Sequence, residues 1–104
     1  MAFFLALSFA PSVNAGSISS TITQVHNSSA NKILITLAQT PTNGPSCATN
    51  SQYQFAFDPT TDLGKSQLSL VLTAYAMGAE VNVGGNNVCS QVADVENMRW
   101  IRLL

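Results

Sequence analysis

Between Gln52 and Phe57 the chain alternates without a break, with Tyr53, Phe55 and Phe57 on one side and Gln52, Gln54 and Ala56 on the other. A strict period of two marks a half-buried strand, and three aromatics on its inner side supply much of a small core. Two more β-like stretches precede it. Ser17–Val25 (SISSTITQV) is rich in β-branched residues, and Lys32–Leu37 (KILITL) sets Ile33, Ile35 and Leu37 against Leu34 and Thr36. The polar run 27–31 turns the chain between them, so the pair reads as a hairpin. Two prolines and a glycine in 41–45 (PTNGP) then interrupt regular structure.

At Gly64 the period changes. From there to Met77, Leu68, Val71, Leu72, Tyr75 and Ala76 recur at i, i+3, i+4, i+7 and i+8, the stripe of an amphipathic helix expected to pack on Tyr53, Phe55 and Phe57. Asp62 is placed to cap its start, and Gly78 stands where a left-handed C-terminal cap belongs. Glu80–Val83 reads as a short strand, Gly84-Gly85-Asn86-Asn87 as a tight turn with positive φ, and Met98–Leu104 as a last strand. The fold class is therefore mainly β with one helix, in the order β-β-β-α-β-β. That is the order of a five-stranded OB-like barrel, with a small α+β sheet as the alternative. No repeat, linker or charge run divides residues 16–104, which read as a single OB-like domain.

The chain's first fifteen residues read differently. Ala2–Ala10 is apolar except for Ser8, the length of a signal-peptide core and about half of a bilayer span. Val13 and Ala15 supply small residues at the −3 and −1 positions of a cleavage site, although no Lys or Arg precedes the apolar run. Residues 1–15 are thus expected to be a signal peptide. The mature chain would start at Gly16, be secreted or periplasmic, and contain no membrane span. In an oxidising compartment Cys47 and Cys89 are expected to form a disulfide. Such a bond closes a loop of about 42 residues, worth about 4 kcal/mol on the chain-entropy model.

Only 9% of the residues are charged, with net charge −1. That balance argues against nucleic acid, which demands a basic stripe, and against a polybasic membrane binder. Ser, Thr, Asn and Gln build the polar surface instead.

The segment Ile22-Thr23-Gln24-Val25-His26, and the helix ending Leu72-Thr73-Ala74-Tyr75-Ala76-Met77-Gly78 before Val81, resemble the B subunits of pentameric bacterial toxins, the subtilase-cytotoxin type above all. The block Gly64, Lys65, Leu68, Ser69, Leu72, Ala74, Gly78, Val81 and Cys89 is similar to one found in exported proteins of marine bacteria. The resemblance implies an OB-fold that assembles into a ring and binds cell-surface glycans. It assigns no sugar-contacting residue.

Catalytic readings find little support in the residues. His26 is the only histidine, no Gly-x-Ser-x-Gly elbow is present, and both cysteines are accounted for, so a turn-flanking surface histidine is expected. Asp58 with Asp62, or Asp94 with Glu96, would need a substrate cleft between them to act as a glycosidase pair, and so small a domain offers little room for one. The Asp58–Asp62 loop lacks the ligand pattern of an EF-hand, and Gly84-Gly85 leads into no helix that could hold a phosphate. Asn27-Ser28-Ser29 matches a glycosylation sequon that an exported bacterial chain has little use for. No catalytic residue, cofactor or metal is expected.

On the last strand Met98, Trp100, Arg102 and Leu104 share one face, and Arg99, Ile101 and Leu103 the other. Trp100 is either core or an exposed aromatic beside an arginine, the surface that stacks on sugars or anchors a subunit. Trp100, Arg102, Asn86 and Asn87 are the candidate binding residues. The expected function is an exported, non-enzymatic binding module for a glycan or another surface, assembling into a homo-oligomeric ring. The alternative is a structural or inhibitory protein that docks on a partner through strand edges and the final strand, without a sugar site.

Overall fold

The computed structural model describes residues 16–104, and the expected signal peptide lies outside the described residues. The elements follow the expected order: β1 (Ser17–Asn27), β2 (Ile33–Leu37), β3 (Phe55–Phe57), α1 (Asp62–Met77), β4 (Glu80–Gly85) and β5 (Glu96–Leu103). β1 and β2 form the hairpin, antiparallel from Asn27 opposite Ile33 to Ile22 opposite Leu37. Its turn closes through Asn31, whose φ of 57° suits asparagine, and through the Asn31 N–H donating to the Ser28 carbonyl at 2.9 Å.

Between Ile22 and Gln24 the register shifts, and such a bulge bends a strand and increases its twist. Below the bulge β1 leaves β2 and pairs antiparallel with β4 through Ser17–Thr21. β2 pairs with β3, β3 runs parallel to β5, and β5 pairs antiparallel with β4, so the ring β1-β2-β3-β5-β4 closes on itself. This is a small OB-like barrel and not an open α+β sheet.

Inside the ring lie Ile22, Ile33, Ile35, Leu37, Phe55, Phe57, Val81, Val83 and Met98, with Val71 and Ala74 entering from α1. The strand expected over 52–57 is shorter than its alternation suggests. Asn50 Oδ1 accepts from the N–H groups of Gln52 (2.8 Å) and Tyr53 (2.7 Å), which bends the chain there, and regular pairing begins only at Phe55. Ala56, assigned to the polar side, is fully buried in a second cluster with Leu34 and Val95, against which Tyr53 and Val92 pack.

Two details of α1 differ from expectation. Its N-cap is Thr61, whose Oγ1 accepts from Gly64 N–H at 2.9 Å, while Asp62 sits in the first turn near the positive end of the helix dipole. Its buried residues are Gly64, Gln67, Val71 and Ala74, so the inner face is turned roughly 100°, about one residue, from the predicted stripe. Leu72 and Tyr75 are consequently 48% and 47% exposed. Two contacts fix this rotation. Gly64 sits so close to the Asp58 carbonyl that a Cβ there would overlap it, and Gln67 Nε2 donates to the Arg99 carbonyl at 3.1 Å. Leu72→Ala should therefore change stability by less than about 0.5 kcal/mol in urea unfolding. Val71→Ala should cost about 2 kcal/mol from two lost methyl groups and the void they leave. Equal losses at the two sites would contradict the observed rotation. Gly78, at φ 64°, caps the C-terminus as expected.

Candidate functional site

Cys47 and Cys89 are bonded, with their Cα atoms 6.1 Å apart. The bond ties the loop between β2 and β3 to the loop between β4 and β5. The second of these loops folds over the outer side of β2 and β3, where Val92 and Val95 meet Leu34, Ala56 and Tyr53. Side chains pin it in place. Asn97 Nδ2 donates to Ser90 Oγ at 2.7 Å, Asn97 Oδ1 accepts from the N–H groups of Ser90 and Gln91 at 3.0 Å each, and Asn50 Nδ2 donates to Asp94 Oδ2 at 3.1 Å. OB-folds commonly take oligonucleotides and oligosaccharides on the face of strands two and three. In this chain that face is covered.

The outer face of β1, β4 and β5 is not. Register places Ser17 opposite Gly84 and Ser19 opposite Asn82 on one side of β4, with Trp100 opposite Gly84 and Arg102 opposite Asn82 on the other. The Trp100 indole lies against Gly84 so closely that any Cβ there would overlap the ring. Trp100 is half-buried and belongs to neither core cluster, so its underside is fixed on backbone. The Arg102 guanidinium carbon sits 5.4 Å from the indole centroid, within cation–π range, and Asn82 Nδ2 donates to Ser19 Oγ at 3.0 Å. One small surface thus carries an aromatic plate, a guanidinium, an amide and two hydroxyls.

No family model, curated protein or solved structure matches this chain.

Gly84 and Gly85 are not a turn, as the sequence suggested. Both are buried in β4, and both are glycine because something packs directly on them: the indole on Gly84 and the Glu96 carboxylate on Gly85. Positive φ falls at Asn87 instead, at 72°. Asn86 lines a separate cleft of about 240 Å³ with Asp58, Thr61, Gln67 and Gln91. Asn87 donates its N–H to Glu96 Oε2 at 2.9 Å, and its side-chain oxygen is buried without a partner among the described residues. The structure therefore brings Trp100 and Arg102 together and places Asn86 and Asn87 elsewhere. Asn82, Ser17 and Ser19 take their place. Extending the alternation of Glu80-Val81-Asn82-Val83 through Gly84 would have put Asn82 and Gly84 on one face.

The acidic pairs are otherwise engaged. Asp58 Oδ1 accepts from Thr60 N–H and Oγ1, and Asp58 Oδ2 pairs with Lys32 at 3.5 Å; these contacts, the Thr60 bonds foremost, hold its carboxyl below the usual range. Glu96 is 2% exposed, and burial pushes its carboxyl up against the opposing pull of the Asn87 and Gly16 N–H groups. His26 is exposed and stacks on Tyr53, with centroids 5.5 Å apart. Among the described residues no three His, Cys, Asp or Glu side chains group to hold a metal, and no helix is long and apolar enough to cross a membrane.

Proposed function

We propose that the chain is an exported, non-enzymatic binding module whose Trp100 face takes a glycan, working as a ring-forming subunit of the toxin-B type. The observation that carries this reading is the indole held flat over Gly84 with Arg102 and Asn82 beside it. The apolar face of a pyranose stacks on such a plate, while its hydroxyls require donors and acceptors at the rim. The disulfide fits an oxidising compartment, where such ligands are displayed. A glycan array probed with wild type, Trp100→Ala and Arg102→Ala tests the site. Trp100→Ala should stay folded by circular dichroism and lose at least about tenfold in affinity, the effect of an aromatic hot spot. Unfolding of Trp100→Ala together with a silent Arg102→Ala would remove the assignment. His26→Ala should leave both folding and binding unchanged.

A second reading rests on α1. Leu63, Leu70, Leu72, Tyr75 and Met77 are exposed along the helix, which favours docking on a protein surface without a sugar site. Solution mass together with an array that shows no glycan signal would favour it over the first.

A further inference from the structure

Glu96 is a buried acid held, among the described residues, by backbone N–H groups alone. Its carboxylate is buried behind Gly16, Gly44 and Gly85, and among the described residues it makes no ion pair. An ionised carboxylate at such a site is costly unless a cation or a full set of hydrogen bonds compensates it. Two backbone nitrogens face it: that of Asn87, 2.9 Å from Oε2, and that of Gly16, just before β1, which lies 3.1 Å from Oε1 and 3.2 Å from Oε2. Gly16 is itself buried, and a Cβ there would come within 2.9 Å of both Glu96 Oε1 and the Asn43 carbonyl, so only glycine fits.

An amide N–H carries a single hydrogen and no charge, a poor match for two carboxylate oxygens at equal range. An α-ammonium carries three hydrogens and a full positive charge. The sequence Val13-Asn14-Ala15 just before Gly16 has the small residues an export endopeptidase requires. From these placements we propose that Ala15–Gly16 is a processing site and that the Gly16 α-ammonium released there is the ionic partner of Glu96. Water adds across the Ala15–Gly16 amide. The water oxygen joins the Ala15 carbonyl carbon, which leaves as a carboxylate, and both water hydrogens end on the Gly16 nitrogen, one in place of its acyl group and one making it an ammonium. Cleavage thereby converts a weak hydrogen bond into a buried ion pair that holds the start of β1 to the start of β5. Maturation and folding are coupled in this way, whatever the Trp100 face binds.

The intact mass of the exported protein should correspond to a chain beginning at Gly16; another start would overturn the proposal. The energetic test compares the chain beginning at Gly16 with the same chain acetylated on its α-amino group, each with and without Glu96→Gln. Acetylation should lower the folding equilibrium constant by about tenfold or more in the wild type, as expected for a charged hydrogen-bonded partner, and by less than about twofold in Glu96→Gln. Equal effects in both backgrounds would show that the two groups do not interact. If Glu96→Gln fails to fold, nuclear magnetic resonance titration of the α-amino group decides the matter. Its pKa should lie well above the ordinary value of about 8, and an ordinary value would refute the pairing.

Discussion

Truncating Phe55 to alanine should cost about 3–5 kcal/mol, the largest loss expected from any single core substitution in the molecule. Phe55 is fully buried, and it lies on the shortest strand of the barrel, where β2 hands over to β5. Ile35 stands opposite it on one side and Glu96 on the other, so the void would open at the only parallel seam of the ring. A domain of this size has a total stability of about 0.05–0.15 kcal/mol per residue, and the variant would lose a large part of it. Urea unfolding followed by tryptophan fluorescence measures the loss. A cost below about 1 kcal/mol would mean that β3 is not a core stave.

Removing the disulfide by a double Cys47→Ser, Cys89→Ser exchange is the second large effect. The 42-residue separation gives about 4 kcal/mol on the chain-entropy model, within the range of 2–5 kcal/mol for native bonds in small domains. The bond also anchors a cover. Without it the loop carrying Val92 and Val95 is free to lift from Leu34 and Ala56, uncovering apolar surface on β2 and β3. The reduced analogue should therefore bind an apolar dye that the native protein ignores. The native protein, unfolded without reductant, should show no titratable thiol, and two thiols would refute the bond.

How far the sequence reveals this arrangement depends on which kind of contact decides each element. Strands β1 and β2 were legible because β-branched residues dominate them and Ile33, Ile35 and Leu37 recur at every second position toward the main core. Gly78 was legible because a left-handed cap has few other occupants. The rotation of α1 was not, since it is set by the fit of Gly64 against the Asp58 carbonyl and by a polar Gln67 drawn inward to the Arg99 carbonyl. Periodicity weighs only apolarity, so it favoured Leu72 and Tyr75. The same limit explains the paired glycines of β4. Gly-Gly before Asn-Asn has the composition of a turn, and only the register with β5 reveals that an indole and a carboxylate occupy the missing side chains. Trp100 and Arg102 were found because strand alternation fixes their common face. Asn82 was overlooked because it lies on a neighbouring strand.

β1 supplies both neighbours that close the ring, and this has a kinetic consequence. Its second half pairs with β2 only a few residues along the chain, whereas its first half waits for β4, with Ser17 opposite Gly84. Contacts so distant in sequence must overcome the entropy of closing a long loop before they yield any stabilisation, which places small barrels among the slow folders, in milliseconds to seconds. A chain made from its amino end cannot complete such a ring until β4 and β5 have emerged, because the staves it lacks are the last ones made. The topology thus delays closure of the ring until the segment carrying Cys89, between β4 and β5, can reach Cys47.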